Sequence, residues 1–137
     1  MIDASKKIRG IMRNRGIKMP DLADILSRKT GEIYTPDRAK KFIAQKSPKG
    51  AKLLLLADIF QVDPLEFGDQ VTVALAERGL EKKRAAEMMG MSVANFVNLA
   101  GRIRRGQGVQ SPRLVMLSQV TVTPVAYFLP GGANGKR

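Results

Sequence analysis

The segment GIKMPDLADIL (Gly16–Leu26) decides the fold expected for this chain, because it aligns without a gap on GLEKKRAAEMM (Gly79–Met89). The two segments are 63 residues apart, and each places apolar residues after a glycine with the spacing of one helix face. A second match follows, in which Leu53–Phe67 aligns with Leu114–Phe128 at an offset of 61 residues. A repeat of about 60 residues has the size of a small helical domain rather than of one solenoid unit.

The chain is strongly basic throughout its length. It has 137 residues, with 24 Lys and Arg, 12 Asp and Glu, no His and a formal net charge of +12. Residues 1–68 and residues 69–137 each carry +6, so the excess is not confined to a tail. A folded chain with this charge attracts polyanions over a Debye length of about 8 Å at physiological salt. We therefore expect nucleic acid as the partner, ahead of an anionic membrane surface.

The composition argues against several classes of chemistry. The chain has no Cys and no His, which removes disulfides, thiolate nucleophiles, most transition-metal sites and the usual general bases. The carboxylate pairs Asp21/Asp24 and Glu77/Glu81 are typical of solvated helix faces. No apolar run approaches the roughly 18 residues of a membrane span, and the N-terminus lacks the apolar core of a signal peptide. We expect a cytoplasmic protein that is not an enzyme, with no membrane partner, metal or cofactor.

Helix boundary signals predict the same series of elements in both halves. In the first half, the spacing predicts a helix over Ala4–Arg15 that ends at Gly16, a second helix over Met19–Arg28, and a third that begins at the Thr35-Pro36 cap. Ser47-Pro48 is expected to cap a fourth helix that runs to Phe60, and Asp63-Pro64 a short last turn. The corresponding signals in the second half are Gly79, Glu81–Met89, Ser92, Ser111-Pro112 and Thr123-Pro124. The β-branched run 120–123 also leaves a short extended piece open at that point.

This order of elements is that of a helix-turn-helix, in which the second helix crosses the DNA backbone and the third enters the major groove. Each half resembles the lambda-repressor-like (XRE) family, which has a Gly-apolar start, an Ala in helix two, a Ser or Thr cap on helix three and a final turn opened by Asp or Ser with Pro. The residues that carry the resemblance are Gly16–Leu26, Tyr34–Phe42, Leu53–Phe67, Gly79–Met89, Met91–Leu99 and Leu114–Phe128.

The resemblance implies an all-α protein made of two tandem five-helix, lambda-repressor-like helix-turn-helix domains. The first domain is expected in residues 1–68 and the second in residues 69–130, followed by a Gly-rich disordered tail, 131–137. Two departures from the family stand out. The first copy has six extra residues between Leu26 and Thr35. Where the family opens helix two with a phosphate-binding Thr-Gln pair, this chain has Lys18 and Lys82 nearby, which we expect to contact phosphate.

In the first half, the resemblance implies that Tyr34, Ala39 and Phe42 are buried. The residues left facing DNA bases are Pro36, Asp37, Arg38, Lys41 and Gln45. Arg38 is the expected base reader, because Arg binds guanine O6 and N7 bidentately, with about 1–3 kcal/mol of discrimination. Lysines are flexible point charges and fit phosphate contacts better, namely Lys40, Lys41, Lys46, Lys49 and Lys52. A merely solvated lysine face is the alternative.

In the second half, Met91, Phe96 and Leu99 are expected to be buried. The outward residues are then Val93, Ala94, Asn95, Val97 and Asn98. Either Asn could pair with adenine N6 and N7, and Val93 and Ala94 could meet a thymine methyl group; ordinary surface roles for the two Asn residues stay open. Three arginines beside glycines predict a loop that clamps phosphate or reaches a minor groove: Arg102, Arg104 and Arg105.

These residues together indicate a sequence-specific regulator of transcription that binds double-stranded DNA and occupies an operator. From the resemblance, we expect it to come from a phage, plasmid or other mobile element. One chain could span two half-sites about 34 Å apart, or one copy could bind DNA while the other forms a homodimer. RNA polymerase or another regulator is the alternative protein partner. Two other functions stay open: a DNA-bending recombination or packaging accessory protein, and an anti-activator that docks a protein on Val93, Ala94 and Val97.

Overall fold

Eight α-helices and two 3₁₀ helices account for the secondary structure of residues 2–130, the part of the chain that the computed structural model describes. This part contains no strand, and the all-α class is therefore confirmed. The predicted disordered tail, 131–137, lies outside the described residues. The α-helices are α1 (Ala4–Arg15), α2 (Met19–Thr30), α3 (Pro36–Phe42), α4 (Gly50–Phe60), α5 (Gln70–Arg78), α6 (Lys82–Met88), α7 (Val93–Arg104) and α8 (Ser111–Thr121). The 3₁₀ helices are Pro64–Glu66 and Val125–Phe128.

The described residues form two compact units. The first unit comprises residues 2–48 and 55–68, and the second comprises residues 49–54 and 69–130. The first five residues of α4 therefore belong to the second unit, although the sequence repeat places all of α4 in the first half. The series of four α-helices and one 3₁₀ helix occurs once in residues 4–66 and again in residues 70–128. Its division into helix-turn-helix domains at residues 68 and 69 stays a prediction.

The predicted helix signals act as expected at four main boundaries. Gly16 and Gly79 end α1 and α5 in the left-handed conformation, with φ of 67° and 65°. Glycine adopts this conformation without the steric cost that other residues have. The hydroxyl oxygens of Thr35 and Ser92 accept hydrogen bonds from the backbone N–H groups of Arg38 and Asn95, at 3.2 and 3.1 Å. Each cap satisfies one of the unpaired N–H groups at the start of a helix.

Two boundary predictions are wrong. Ser47-Pro48 does not cap α4, because the helix begins only at Gly50. Ser111-Pro112 does begin α8 as predicted; Gln110 is the N-cap residue and Ser111 is the first helical residue, so Ser111 makes no capping hydrogen bond. Residues 120–123 are not extended, since α8 continues through Thr121 and Val122 caps it with a φ of 52°. Packing of the helix overrides the β preference of these branched residues.

Each unit has a core built from the apolar face of its helices. In the first unit, Phe60 and Phe67 pack edge to face with ring centroids 6.4 Å apart, and the Arg15 guanidinium donates a 2.6 Å hydrogen bond to the Phe60 carbonyl. In the second unit, α5 is the most enclosed helix, with buried residues Val71, Val73, Ala74, Leu75 and Ala76. The helices α7 and α8 both pack on α5. None of the helices in residues 2–130 is long and apolar enough to span a bilayer.

The Ser92 cap gives a test of this local structure. Ser92→Ala removes the acceptor for the Asn95 N–H group, and we expect the free energy of unfolding to fall by about 1 kcal/mol. Ser111→Ala is the matched control, because Ser111 makes no capping hydrogen bond, and its effect should stay within about 0.5 kcal/mol. Urea titrations followed by circular dichroism measure both values. Equal losses in the two variants would contradict the assignment of Ser92 as the cap.

Candidate nucleic-acid interface

In the first unit, the connection between α2 and α3 holds the Arg38 side chain in place. Arg38 Nη1 donates a 2.7 Å hydrogen bond to the Ile33 carbonyl, and Nη2 lies 3.3 Å from a Glu32 carboxylate oxygen. The guanidinium carbon lies 4.1 Å from the centroid of the Tyr34 ring, which is the geometry of a cation–π contact. The side chain predicted to read a base is therefore already engaged with its own turn.

Further hydrogen bonds order the connection between α2 and α3. The Glu32 N–H donates to the Thr30 hydroxyl at 3.1 Å, and the Tyr34 N–H donates to the Ser27 hydroxyl at 2.9 Å. The ring of Tyr34 meets Phe42 edge to face at 5.8 Å. Ile33 is left at the tip with 84% of its surface exposed. Most of the six extra residues lengthen α2, which has 12 residues against 7 in α6. The connection itself, residues 31–35, is therefore a short ordered turn and not a lengthened one.

The structure places the other predicted residues of the first half mainly on the surface. Ala39 is buried, whereas Tyr34 and Phe42 are only half-buried, and Ile43, which the sequence argument did not select, completes the buried side. Lys52 is half-buried, and its burial lowers the pKa of its ammonium group below the usual lysine value. The remaining predicted contacts are exposed: Lys18, Pro36, Asp37, Lys40, Lys41, Gln45, Lys46 and Lys49.

In the second unit, α7 buries one face and exposes the other. Phe96 and Leu99 are buried and Met91 is half-buried, while Ile103 adds a fourth inward position one turn further on. The helix packs on both α5 and α6 along this side. The residues predicted to face outward are all exposed: Val93, Ala94, Asn95, Val97 and Asn98. Apolar residues at helical spacing fixed this orientation, which explains why the sequence located it.

The arginine cluster lies on a helix, and its prediction as a loop is wrong. The helix α7 continues through Arg102 to Arg104, and Arg105 is its C-cap residue. All three side chains are exposed. Because residues three, four and seven positions apart share a helix side, Arg102 lies in line with Asn95 and Asn98. The structure therefore extends the polar side of α7 by a cation at its C-terminal end, where the helix dipole also favours positive charge.

Gly101 gives the Arg105 side chain its position. A Cβ atom on Gly101 would lie 3.1 Å from Arg105 Nη1 and 3.6 Å from Nη2, so the guanidinium covers the bare backbone of this glycine. Gly101 is consequently buried, and Arg105 Nη2 also donates to the Gln107 side-chain oxygen at 3.4 Å. The sequence signal was a Gly four residues before an Arg, but only the helix brings the two together.

A cleft in the second unit brings together two of the predicted phosphate contacts, Lys49 and Lys82, and adds Lys83. The cleft has a volume of about 420 Å³. Leu75 and Ala76 of α5 contribute apolar surface to it, and the other lining residues are Gly50, Thr72, Leu80 and Glu81. Among residues 2–130, the structure gives none of these three lysines an ion pair. The same part of the chain holds no cluster of three His, Cys, Asp or Glu side chains suited to a metal ion.

The role of Arg38 in the turn can be measured separately from any ligand. We expect Arg38→Gln to accelerate amide hydrogen exchange at Glu32 and Tyr34, because the turn loses three contacts. The free energy of unfolding should fall by only about 1 kcal/mol or less, since exposed ion pairs and cation–π contacts are weak. Lys41→Gln, an exposed position on the same helix, is the control and should leave both amides unchanged. Unchanged amide hydrogen exchange in Arg38→Gln would contradict the role of Arg38 in ordering this turn.

The Gly101 position has a matched control in Gly10 of α1, where a Cβ atom would meet nothing within 4 Å. Gly10→Ala should stabilise the protein by roughly 0.5–1 kcal/mol, the usual gain for this change inside a helix. Gly101→Ala should gain less, because the Arg105 guanidinium must move, and the ¹⁵N resonances of that guanidinium should shift. Thermal and urea unfolding measure the gains. Identical gains with an unmoved Arg105 would argue against the contact.

Comparisons with known proteins do not assign a family to this chain. No family model, curated protein or solved structure matches it. The resemblance to lambda-repressor-like domains therefore stays an expectation drawn from the residue pattern. The function has to be argued from the charges, exposures and contacts of the two units.

Proposed function

We propose that this chain is a sequence-specific, double-stranded DNA-binding regulator that acts by occupying an operator. In this proposal, the two units are tandem lambda-repressor-like helix-turn-helix domains of five helices each, and α3 and α7 are their recognition helices. The observation that supports it most is the outward face of α7. This face carries amides and small apolar groups along its length and arginines at its end.

The chemistry of that face suits the edges of base pairs. The amides of Asn95 and Asn98 can each donate to and accept from adenine, and the methyl groups of Val93 and Ala94 can pack on a thymine methyl. With 12 residues, α7 is about 18 Å long, and a helix of ordinary diameter fits the major groove. Arg102 and Arg104 at its end would then lie near the flanking phosphates.

The first unit offers a different set of groups. The Arg38 guanidinium is engaged with Glu32, Ile33 and Tyr34, so that reading a base would require it to leave part of these contacts. The exposed lysines Lys40, Lys41 and Lys46 suit contacts to phosphate. We propose that the first unit mainly binds the DNA backbone and that the second unit reads the sequence.

A second function has one observation in its favour. Val93, Val97 and Met88 expose 43%, 44% and 47% of their surface, on α7 and at the end of α6. Such a surface could dock a protein, as in an anti-activator, a homodimer or a contact with RNA polymerase. The charge of +12 favours DNA over this alternative, because it attracts a polyanion and repels a second copy of the chain.

Selection of duplexes from a random pool, followed by binding across a salt series, tests the proposal. A regulator of this kind should bind its selected duplex about 10³-fold or more above random DNA. A steep salt dependence with little preference for sequence would instead indicate a DNA-bending accessory protein, which the bend angle from fluorescence energy transfer would reveal. No binding to any duplex at low salt would overturn both DNA functions and leave the protein-docking alternative.

The division of roles within α7 predicts two distinct phenotypes. Asn98→Ala should relax the preference at one base pair, with a loss of roughly 1–3 kcal/mol on the selected site alone. Arg104→Ala should weaken binding to all duplexes alike and reduce the salt slope by about one. Asn14→Ala, an exposed position on α1, is the control and should change neither quantity. Equal effects of the first two variants on all sequences would contradict this division.

A further inference from the structure

The cleft of the second unit that Lys49, Lys82 and Lys83 line has a volume and an apolar lining that binding to the DNA backbone does not require. All of its lining residues belong to residues 49–54 and 69–130. Its volume of about 420 Å³ lies within the range of about 300–1,000 Å³ that is common for small-molecule sites. Leu75 and Ala76 of α5 line the cleft with the 4% and 6% of their surface that stays exposed, and the half-buried Leu80 adds a further apolar side chain.

The charged residues at this cleft favour a negatively charged ligand. Lys49, Lys82 and Lys83 line it together with one acid, Glu81, so that three cations outnumber one anion. A cleft with this excess of positive charge attracts an anion more than a neutral or cationic molecule. The Thr72 side chain adds a hydroxyl group that can donate or accept a hydrogen bond.

The combination of an apolar wall and a cationic rim narrows the ligand class further. A phosphodiester backbone or a free inorganic anion would satisfy the lysines and leave the apolar lining of the cleft, chiefly Leu80, without a partner. A molecule with an anionic head and an apolar body satisfies both parts of the cleft. We propose that this cleft binds a small amphipathic organic anion, with its carboxylate or phosphate head at the lysines and its apolar body against Leu75, Ala76 and Leu80.

A consequence follows if the proposed DNA function holds. Lys49 and Lys82 are also the predicted phosphate contacts, so the ligand and DNA would compete for the same cations. The protein with a ligand in the cleft would then bind DNA more weakly. By linkage, bound DNA would weaken the binding of the ligand by the same factor. This second part rests on the proposed function, whereas the binding site itself does not.

Octanoate is a suitable probe for the full-length chain, with octanamide as the neutral match and acetate as the anion without an apolar body. Binding is followed by ¹⁵N–¹H spectra and by the melting temperature. We expect octanoate to saturate with shifts at Thr72, Ala76 and Leu80 and to raise the melting temperature, while the two controls do neither. Hexyl phosphate provides the second head group, and the tighter of the two anions identifies the preferred head.

Variants separate this site from general attraction to a basic surface. Lys82→Gln combined with Lys83→Gln should weaken octanoate binding by about tenfold or more, because the charge-assisted contacts are lost. Lys40→Gln combined with Lys41→Gln on α3 removes the same charge elsewhere and should leave binding unchanged. Equal weakening in both double variants, shifts outside the cleft, or equal shifts with acetate would overturn the site.

Competition with DNA is measured on the same samples. Octanoate should lower the affinity for the selected duplex by about fivefold or more, the lower end of typical coupling between sites. If octanoate binds in the cleft and the DNA affinity is unchanged, the competition is overturned, whereas the proposed binding site is supported. A chain that binds no duplex even without octanoate would overturn the proposed function, while the spectra would still report on the cleft.

Discussion

The burial of the inner side of α7 is the constraint on which the candidate interface depends. Phe96, Leu99 and Ile103 lie against α5 and α6, and apolar burial of this kind is worth roughly 1.5–3 kcal/mol for each large side chain. Once this side is fixed, the period of the helix leaves no freedom in the direction of the other side chains. The outward position of Asn95 and Asn98 is therefore a consequence of core packing. The backbone positions of these two residues are fixed by the same contacts that fix the core.

The same reasoning separates what could be predicted from what could not. Apolar spacing and caps predicted α1, α5 and the buried Phe96 and Leu99, because these signals are local and strong. The length of α7 was missed, since Gly101 and three arginines resemble a loop in sequence. Its helical form depends on Ile103 reaching the core and on Arg105 covering Gly101, and both are contacts across turns or between helices. The cleft was missed for a similar reason, because its lining residues come from separate parts of the sequence, 49–50, 72–76 and 80–83, and meet only in the folded second unit.

The two copies have used their arginines differently. In the first unit, Arg38 satisfies part of its hydrogen-bonding capacity inside the protein, which stabilises the connection between α2 and α3. In the second unit, the arginines lie at the end of α7, away from its connection to α6. The Arg38 guanidinium uses donors within its own turn, whereas Arg102 and Arg104 lie exposed on α7, where their donors can reach a ligand. The repeat has thus preserved the core and changed the chemistry of the surface.

The lysines around the cleft show how the charge of the chain is coupled to its packing. Partial burial lowers the pKa of Lys52, since its charged form loses solvation. The cleft is lined by three other lysines, Lys49, Lys82 and Lys83, and by one acid, Glu81. An anion that binds there is attracted by all three cations, while the buried residues of α5 remain as they are. A polyanion and a small acid that use the same cations therefore compete for them, since each contact made by one ligand is lost to the other.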